Sequence, residues 1–168
     1  PWTIDPSAGD HGRVELSYPQ YPWEQVGDLL DRPAVPHVNV NEGPEILQHN
    51  DDIFLVYSAS ACWTDYYELG VVRARSGSDL LNPKSWRKYD HPFFQQDRQA
   101  GVFGPGHNGF FKSPDGKQEW IIYHANPESG QGCGDHRSPR IQPFTWNPDG
   151  TPNFGKPLAT TTAIPKPE

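Results

Sequence analysis

Residues 42–59 read Glu-Gly-Pro-Glu-Ile-Leu-Gln-His-Asn-Asp-Asp-Ile-Phe-Leu-Val-Tyr-Ser-Ala. Gly-Pro opens this segment and a polar turn at 50–52 divides it into two short apolar runs, at 45–48 and 53–58, so it predicts a β-hairpin. Residues 103–125 repeat the plan, with Gly-Pro, a strand, the turn Ser-Pro-Asp-Gly and a second strand. Both hairpins end with an aromatic residue, two aliphatic residues, tyrosine, one further residue and alanine. Repeated hairpins predict the blades of a β-propeller, although a β-sandwich is also compatible with only two repeats.

Further strands extend this pattern in both directions. The sequence predicts strands at Arg13–Tyr18, Glu68–Ala74 and Trp86–Tyr89, and a third hairpin that joins Arg140–Trp146 to Asn153–Leu158. With 19 Pro and 16 Gly among 168 residues, little room is left for long helices. The predicted fold class is therefore all-β, with two to three blades. A closed propeller needs about four blades or more, and the sequence contains no methionine, so we expect further blades outside these 168 residues.

Composition and charge exclude several classes of function. The formal net charge is −7 and Lys and Arg do not cluster, which argues against binding to nucleic acid, because phosphates require a basic patch. No apolar run approaches the roughly 20 residues that a membrane-spanning helix needs. Aromatic residues make up 12% of the chain, enough to form a core and to stack on sugar rings. A neutral, hydroxyl-rich substrate therefore fits best.

Glu42 is the first candidate for chemistry. It precedes Gly-Pro where an inner strand would begin, so its carboxyl group can project toward the centre of a propeller. Glycosidic cleavage needs such a carboxylic acid to protonate the leaving oxygen, but the spacing alone favours an ordinary solvated surface residue. The two cysteines, Cys62 and Cys133, permit one disulfide bond or two separate thiols.

Several ordered segments together resemble glycoside hydrolase family 43. They are Val-Asn-Glu-Gly-Pro-Glu-Ile-Leu at 40–47, Trp-Thr-Asp at 63–65, Gly-Pro-Gly-His-Asn-Gly-Phe-Phe at 104–111, Tyr-His-Ala-Asn at 123–126 and Arg-Ser-Pro-Arg-Ile-Gln-Pro-Phe-Thr-Trp at 137–146. Within the family they are most similar to the branch of extracellular, exo-acting α-L-arabinofuranosidases and arabinanases. The resemblance extends over residues 1–158.

The resemblance implies a five-bladed propeller and an inverting mechanism that uses three acidic residues. Glu42 matches the general acid, and the base and the aspartate that tunes the acid belong to the first two blades. Asp5, in Trp-Thr-Ile-Asp, is superficially similar to the tuning motif, but Arg-Val-Glu-Leu-Ser at 13–17 follows where the third blade should begin. Residues 1–168 are then expected to be the C-terminal portion of one catalytic domain and to supply about the last three blades. The N-terminal portion, a separate or adjoining segment, would be its partner.

The resemblance also implies roles for five further positions. His107 would lie on the propeller axis and meet an ion, often calcium, through water, or else be an ordinary core histidine; no cofactor is expected in the chemistry. Arg137 would bind a sugar hydroxyl or an acidic partner, and Trp63 would be either a sugar platform or part of the core. A disulfide between Cys62 and Cys133 would hold the Arg137 loop near the acid and would indicate secretion. Glu45, Asp65 and Asp135 are expected to be solvent-facing or turn-stabilising residues.

The expected function is the release of L-arabinofuranose from arabinan or from arabinoxylan-type, arabinose-substituted plant polysaccharides. Two alternatives remain open at this stage. The first is a β-xylosidase of the same family, and the second is a propeller that binds carbohydrate without cleaving it.

Overall fold

The computed structural model of the protein describes residues 14–28 and 37–168. The regular structure of these residues is almost entirely β, with two short 3-10 turns at Pro22–Glu24 and Pro83–Ser85. The first four strands are β1 (Asn41–His49), β2 (Asp52–Ala59), β3 (Glu68–Arg75) and β4 (Arg87–Lys88), and the next four are β5 (Phe103–Lys112), β6 (Glu119–Asn126), β7 (Ser138–Trp146) and β8 (Pro152–Asn153).

Each group of four strands forms one antiparallel sheet in which neighbours along the chain pair side by side, in the orders β1-β2-β3-β4 and β5-β6-β7-β8. Such four-stranded meanders are the blades of a propeller. The prediction of an all-β propeller is confirmed, and the described residues contain two complete blades, the lower of the predicted numbers. Blade A denotes β1–β4 and blade B denotes β5–β8.

The strand predicted at Arg13–Tyr18 is wrong for its described part. Residues 14–20 have no regular structure, and most of them line a groove of about 670 Å³ together with Trp86 and Lys88. Ser17 contacts blade A through its side chain, since its hydroxyl group donates to Oδ1 of Asn41 in β1 at 2.8 Å. The alternation of Val14 and Leu16 therefore reflects packing on a blade and not pairing within one.

The second strand of the third hairpin is also shorter than predicted, since β8 covers only Pro152–Asn153 and not Asn153–Leu158. The side chain of Gln142 forms hydrogen bonds with this segment in place of strand-to-strand backbone hydrogen bonds. Its amide nitrogen donates to the carbonyl oxygens of Phe154 at 2.9 Å and Lys156 at 3.1 Å, and its amide oxygen accepts from the backbone nitrogen of Leu158 at 3.0 Å.

The main core lies between the two blades. Phe94, on the connection from β4 to β5, packs edge-on against Tyr123 of β6 with ring centroids 4.8 Å apart. The other large buried contributors are Phe54, Val56, Leu69, Val71, Ile121, Phe144 and Phe154. Because both sheets contribute residues to this layer, their relative position is set by apolar contact.

A charged cluster joins the blades at the end of β1 opposite Glu42. Asp52 is 5% exposed and accepts hydrogen bonds from Arg73 Nε at 2.9 Å, Arg73 Nη2 at 2.6 Å and Arg75 Nη1 at 3.1 Å. Arg73 also donates to the carbonyl oxygen of Asp149, in the β7–β8 turn of blade B, at 3.2 Å. The guanidinium of Arg73 holds the pKa of Asp52 below its usual value.

Glu24 was not singled out by the sequence, yet it is completely buried and connects residues 14–28 to blade A. Its carboxylate contacts Lys88 Nζ at 2.6 Å and accepts from the Tyr57 hydroxyl at 2.9 Å and from Asn41 Nδ2 at 3.1 Å. Burial opposes its ionisation, but the hydrogen bonds from Lys88, from the backbone nitrogens of Gln20 and Tyr21 and from Tyr57 outweigh that effect, so the pKa of Glu24 is lowered. The buried charge is fully paired, as buried charges need to be.

Glu68, at the start of β3, gives a prediction about stability. It is 4% exposed, and burial raises its pKa from 4.5 to about 8. As the pH rises from 4.5 to about 8 the unfolded chain loses this proton while the folded chain keeps it, so the free energy of unfolding falls over that interval. We expect Glu68→Gln to remove this dependence and to stabilise the protein at pH 8 by about 1–2 kcal/mol.

The measurement is urea unfolding at pH 5 and at pH 8, with the exposed Glu45→Gln as a matched control that should follow the parent protein. If Glu68→Gln keeps the parent's fall in stability between the two pH values, the buried carboxylic acid is not its cause.

Candidate active site

The position of Glu42 depends on an irregularity in β1. Glu42 pairs with Ser58 of β2, and the register shifts before the next pair, Glu45 with Val56. Gly43 takes a left-handed conformation at φ +55°, and a Cβ there would lie 3.1 Å from His107 Nδ1. This bulge redirects the strand, and it favours glycine, because a side chain at 43 would be strained and would crowd His107.

β1 and β5 are the edge strands of their sheets, and they contact each other. Glu42 on β1 and His107 on β5 therefore lie on the same side of the molecule, where the first strands of adjacent blades meet. Both side chains are exposed. The backbone nitrogen of His107 donates to Ser58 Oγ at 2.7 Å, and His107 takes the left-handed conformation at φ 55°, which is uncommon for a residue other than glycine.

Tyr67 is the direct partner of Glu42. Its hydroxyl group donates to Oε1 of Glu42 at 2.8 Å, and its ring is completely buried. A Cβ on Gly106 would come within 2.2 Å of that ring, so the absence of a side chain at 106 is what admits it. Burial raises the pKa of Tyr67, which keeps it a phenol. Sequence reasoning missed this residue, and its only local signal was an aromatic residue with a polar tip between Trp63 and β3.

His124 is the second residue that the sequence analysis did not single out. Its ring stacks on Tyr67, with centroids 5.7 Å apart at 5°, and on His107, with centroids 5.9 Å apart at 20°. Burial, followed by the charges of Arg137 and His107, lowers the pKa of His124 to about 4. The imidazole is therefore neutral at neutral pH. Arg137 Nη1 lies 3.3 Å from His124 Nε2, and because a guanidinium can only donate, that nitrogen accepts.

Two rim loops close this side of the molecule. Cys62 and Cys133 form the predicted disulfide bond, with Cα atoms 5.3 Å apart, and it joins the loop after β2 to the loop before β7. The carboxylate of Asp65 strengthens the junction by accepting from the Ser129 hydroxyl and from Gly130 N at 2.9 Å. Tyr67 and Arg137 belong to these two loops, so the crosslink fixes both relative to Glu42.

Trp63 lies beside the crosslink and is partly buried. Its indole nitrogen donates to the carbonyl oxygen of Gly27 at 3.2 Å, and its backbone lies against Gly132. Trp63 thus packs against neighbouring backbone, and its role as a platform for a sugar ring stays a prediction. Asp135 is exposed, and Asp5 lies outside the described residues.

The donors around His107 do not form a conventional metal site. Over residues 14–28 and 37–168, no three His, Cys, Asp or Glu side chains converge on one point. A calcium ion prefers six to eight oxygen ligands, whereas His107 offers one nitrogen. The residues present do not fit a calcium ion ligated directly by this chain, and no chemical step is assigned to a metal.

Five side chains, Glu42, Tyr67, His107, His124 and Arg137, thus make up what we call the axial cluster. It combines one carboxyl group, whose Oε1 accepts from a buried phenol, with a neutral imidazole and a guanidinium. A carboxyl group held in this way can transfer a proton, and the guanidinium can bind hydroxyl or acidic groups. The cluster holds one carboxyl group, so a reaction that needs a second must take it from elsewhere.

Within the described ranges, no helix has the length and apolarity to span a lipid bilayer.

Comparisons with known proteins agree with this chemistry. The family model described as "Glycosyl hydrolases family 43" matches residues 15–152. An extracellular exo-α-(1→5)-L-arabinofuranosidase of Streptomyces avermitilis is 42% identical over 163 residues, which are 95% of this chain and 31% of that protein. α-L-Arabinofuranosidase 43 of Humicola insolens is 39% identical, over 94% of this chain and 30% of that protein.

A solved structure is similar over most of the chain. The crystal structure of an α-L-arabinofuranosidase from Lactobacillus brevis superposes with a TM-score of 0.77 at 39% identity, and it covers 89% of this chain and 44% of that one. The chain spans about a third of the length of the two curated relatives from Streptomyces avermitilis and Humicola insolens.

Proposed function

Because the chain belongs to glycosyl hydrolase family 43, we propose that it supplies the general acid, Glu42, of an inverting glycoside hydrolase. The proposed substrate is arabinan or another plant polysaccharide with arabinose substituents, from which the enzyme releases L-arabinofuranose. The observation that carries the proposal is the placement of Glu42 where the first strands of two blades meet, hydrogen-bonded to the buried Tyr67 and accompanied by Arg137.

The proposed reaction has two simultaneous proton movements. Glu42 gives its proton to the glycosidic oxygen as the bond to the sugar breaks, while a base on the opposite face takes a proton from the attacking water. In inverting enzymes the two carboxyl groups are about 6.5–9.5 Å apart, which leaves room for that water. The axial cluster contains one carboxyl group, so we assign the base and the tuning aspartate to the N-terminal portion of the propeller, which would complete the site.

The other residues of the site have binding roles in this proposal. His124 is neutral, with its pKa lowered to about 4, and it orients Arg137 without competing as a cation. Arg137 would donate to a sugar hydroxyl, and Trp63 would provide an apolar platform for the ring. His107 would reach an ion on the axis through water, without a part in the proton transfers.

The proposed location is outside the cell. A disulfide that crosslinks two loops is stable in an oxidising compartment, and Cys62 and Cys133 form one. The relative from Streptomyces avermitilis carries the word extracellular in its name, which supports the same proposal.

We expect the protein that contains this chain together with the N-terminal blades to hydrolyse 4-nitrophenyl α-L-arabinofuranoside in preference to 4-nitrophenyl β-D-xyloside. Proton NMR during the first turnover period should show the β-anomer of arabinose first, since inversion converts the α-linkage. Faster cleavage of the xyloside would replace the proposal by a β-xylosidase. Binding of arabino-oligosaccharides without cleavage of either glycoside would replace it by a carbohydrate-binding propeller.

A further inference from the structure

We propose that Tyr67 is a positioning residue for the general acid, because its buried hydroxyl group donates to Oε1 of Glu42 and thereby keeps the transferable proton on Oε2. This inference rests on the proposed function of Glu42. It adds a residue and a defined proton position to that function.

The position of Tyr67 is fixed by its packing and does not depend on Glu42. Its ring has no exposed surface, and it lies between the backbone at Gly106 and the ring of His124. Glu42, by contrast, is on an exposed side chain at the bulge in β1. Of the two groups that share the 2.8 Å hydrogen bond, the rigid one is the tyrosine, so Tyr67 sets the orientation of the carboxyl group.

The direction of this hydrogen bond follows from counting protons. The backbone N–H of His107 can only donate, and it occupies a lone pair of Ser58 Oγ at 2.7 Å. The hydroxyl proton of Ser58 is then free to point to the Tyr67 oxygen, and a donor at that oxygen agrees with the lowering effect that Ser58 has on the pKa of Tyr67, which burial raises. Tyr67 in turn has one proton, and it points to Glu42. Ser58 is the direct cross-strand partner of Glu42, so the donors of Ser58 and Tyr67 can both point in the direction of Glu42.

This polarity assigns different roles to the two oxygens of Glu42. A carboxylic acid whose Oε1 accepts a strong hydrogen bond carries its own proton on Oε2. When Oε2 transfers that proton to the glycosidic oxygen, the bond between that oxygen and the anomeric carbon breaks, and its electron pair stays with the leaving oxygen. The negative charge left on Glu42 strengthens the bond from Tyr67, because hydrogen bonds to ionised acceptors are stronger than those to neutral ones. Tyr67 keeps its proton throughout.

Tyr67→Phe tests this role because it removes the hydroxyl group and keeps the ring that fills the space beside His124. In the complete enzyme we expect kcat for an α-1,5-linked arabinobiose, which has a poor leaving group, to fall about tenfold or more. The rate for 4-nitrophenyl α-L-arabinofuranoside should change little, since nitrophenolate departs with less help from an acid. Ser58→Ala should show the same pattern to a smaller extent. The neighbouring and exposed Tyr66 provides the matched control, Tyr66→Phe.

An equal fall on both substrates would overturn the proposal, because it would mean that Tyr67 only maintains the shape of the site. An unchanged rate on arabinobiose would also overturn it. Glu42→Gln, assayed in parallel, separates this inference from the one on which it rests. If Glu42→Gln is inactive on arabinobiose and Tyr67→Phe is not impaired, the role of Tyr67 is wrong and that of Glu42 stands. If Glu42→Gln is fully active, the proposed function itself fails.

Discussion

Replacing Glu42 by Gln in the complete enzyme is expected to slow the hydrolysis of arabino-oligosaccharides by roughly 10²–10⁴-fold, the usual contribution of general acid catalysis. Glutamine keeps the shape of the side chain and can still accept the hydrogen bond from Tyr67, which is 2.8 Å long in the parent protein. It cannot release a proton to the glycosidic oxygen. Binding of the substrate should therefore persist, and the loss should appear in kcat and not in KM.

The matched control is Glu45→Gln, which alters an exposed carboxylate three residues further along β1. It should leave kcat unchanged. Isothermal titration with arabinotriose would establish that Glu42→Gln still binds. Full activity of Glu42→Gln on arabinobiose would reject the assignment of Glu42 as the acid, and with it the proposed mechanism.

Replacing Asp52 by Ala is expected to lower the free energy of unfolding by about 2–3 kcal/mol, the range for losing hydrogen bonds to a charged group and leaving its partner uncompensated. Asp52 receives three hydrogen bonds from Arg73 and Arg75. It is covered by those side chains and does not lie deep in the core, which places the effect below that of a fully buried ion pair. The loss should reach both blades, since Arg73 also donates to Asp149 in blade B.

The effect of Asp52→Ala on the free energy of unfolding is expected to depend on pH. Arg73 lowers the pKa of Asp52 from 3.8, so the carboxylate stabilises the fold above that value, and the contribution is lost as the pH falls through the lower pKa of the folded state. Urea unfolding of parent and variant should therefore differ at neutral pH and converge in acid. Asp51→Ala, at the exposed neighbouring position, is the control and should leave stability nearly unchanged. A constant difference between parent and Asp52→Ala down to pH 2 would contradict the assignment.

The candidate site draws on both blades, and the two halves depend on each other. Blade A contributes Glu42 and Tyr67, and blade B contributes His107, His124 and Arg137. The disulfide between Cys62 and Cys133 and the hydrogen bonds of Asp65 connect the loops of the two blades directly beside this cluster. The crosslink therefore maintains the distance between Glu42, the proposed acid, and Arg137, which is proposed to bind the substrate.

Patterns within short stretches of sequence determined the blades. The two hairpins at 42–59 and 103–125 were predicted because Gly-Pro, the turn residues and the alternation of apolar positions all act within a few residues of one another. The Gly-Pro motif also made Glu42 a candidate, and the structure has a bulge with a left-handed glycine at 43, whereas the role of Glu42 as the acid was predicted from the family resemblance. The disulfide pairing was predicted from the family resemblance and is also present. The prediction failed at 14–18, where no strand pairs with the alternating residues. Alternation of apolar and polar residues shows which side of a segment is apolar, but it does not show whether a neighbouring strand is present to form backbone hydrogen bonds.

Tertiary structure alone decided which side chains surround the acid. Tyr67 and His124 are 25 and 82 positions from Glu42 along the chain, as the differences 67 − 42 and 124 − 42 give, and no periodicity links them. Their contacts arise when two sheets pack face to face, which brings a buried phenol, an imidazole and a carboxyl group together through apolar burial of quite different residues. Glu24 and Asp52 are buried charges whose partners, Lys88 for the first and Arg73 for the second, are also distant in the sequence. Backbone preferences depend on a few adjacent residues and can be predicted from the sequence. The electrostatic environment of a side chain depends on residues that come close to it only in the folded structure.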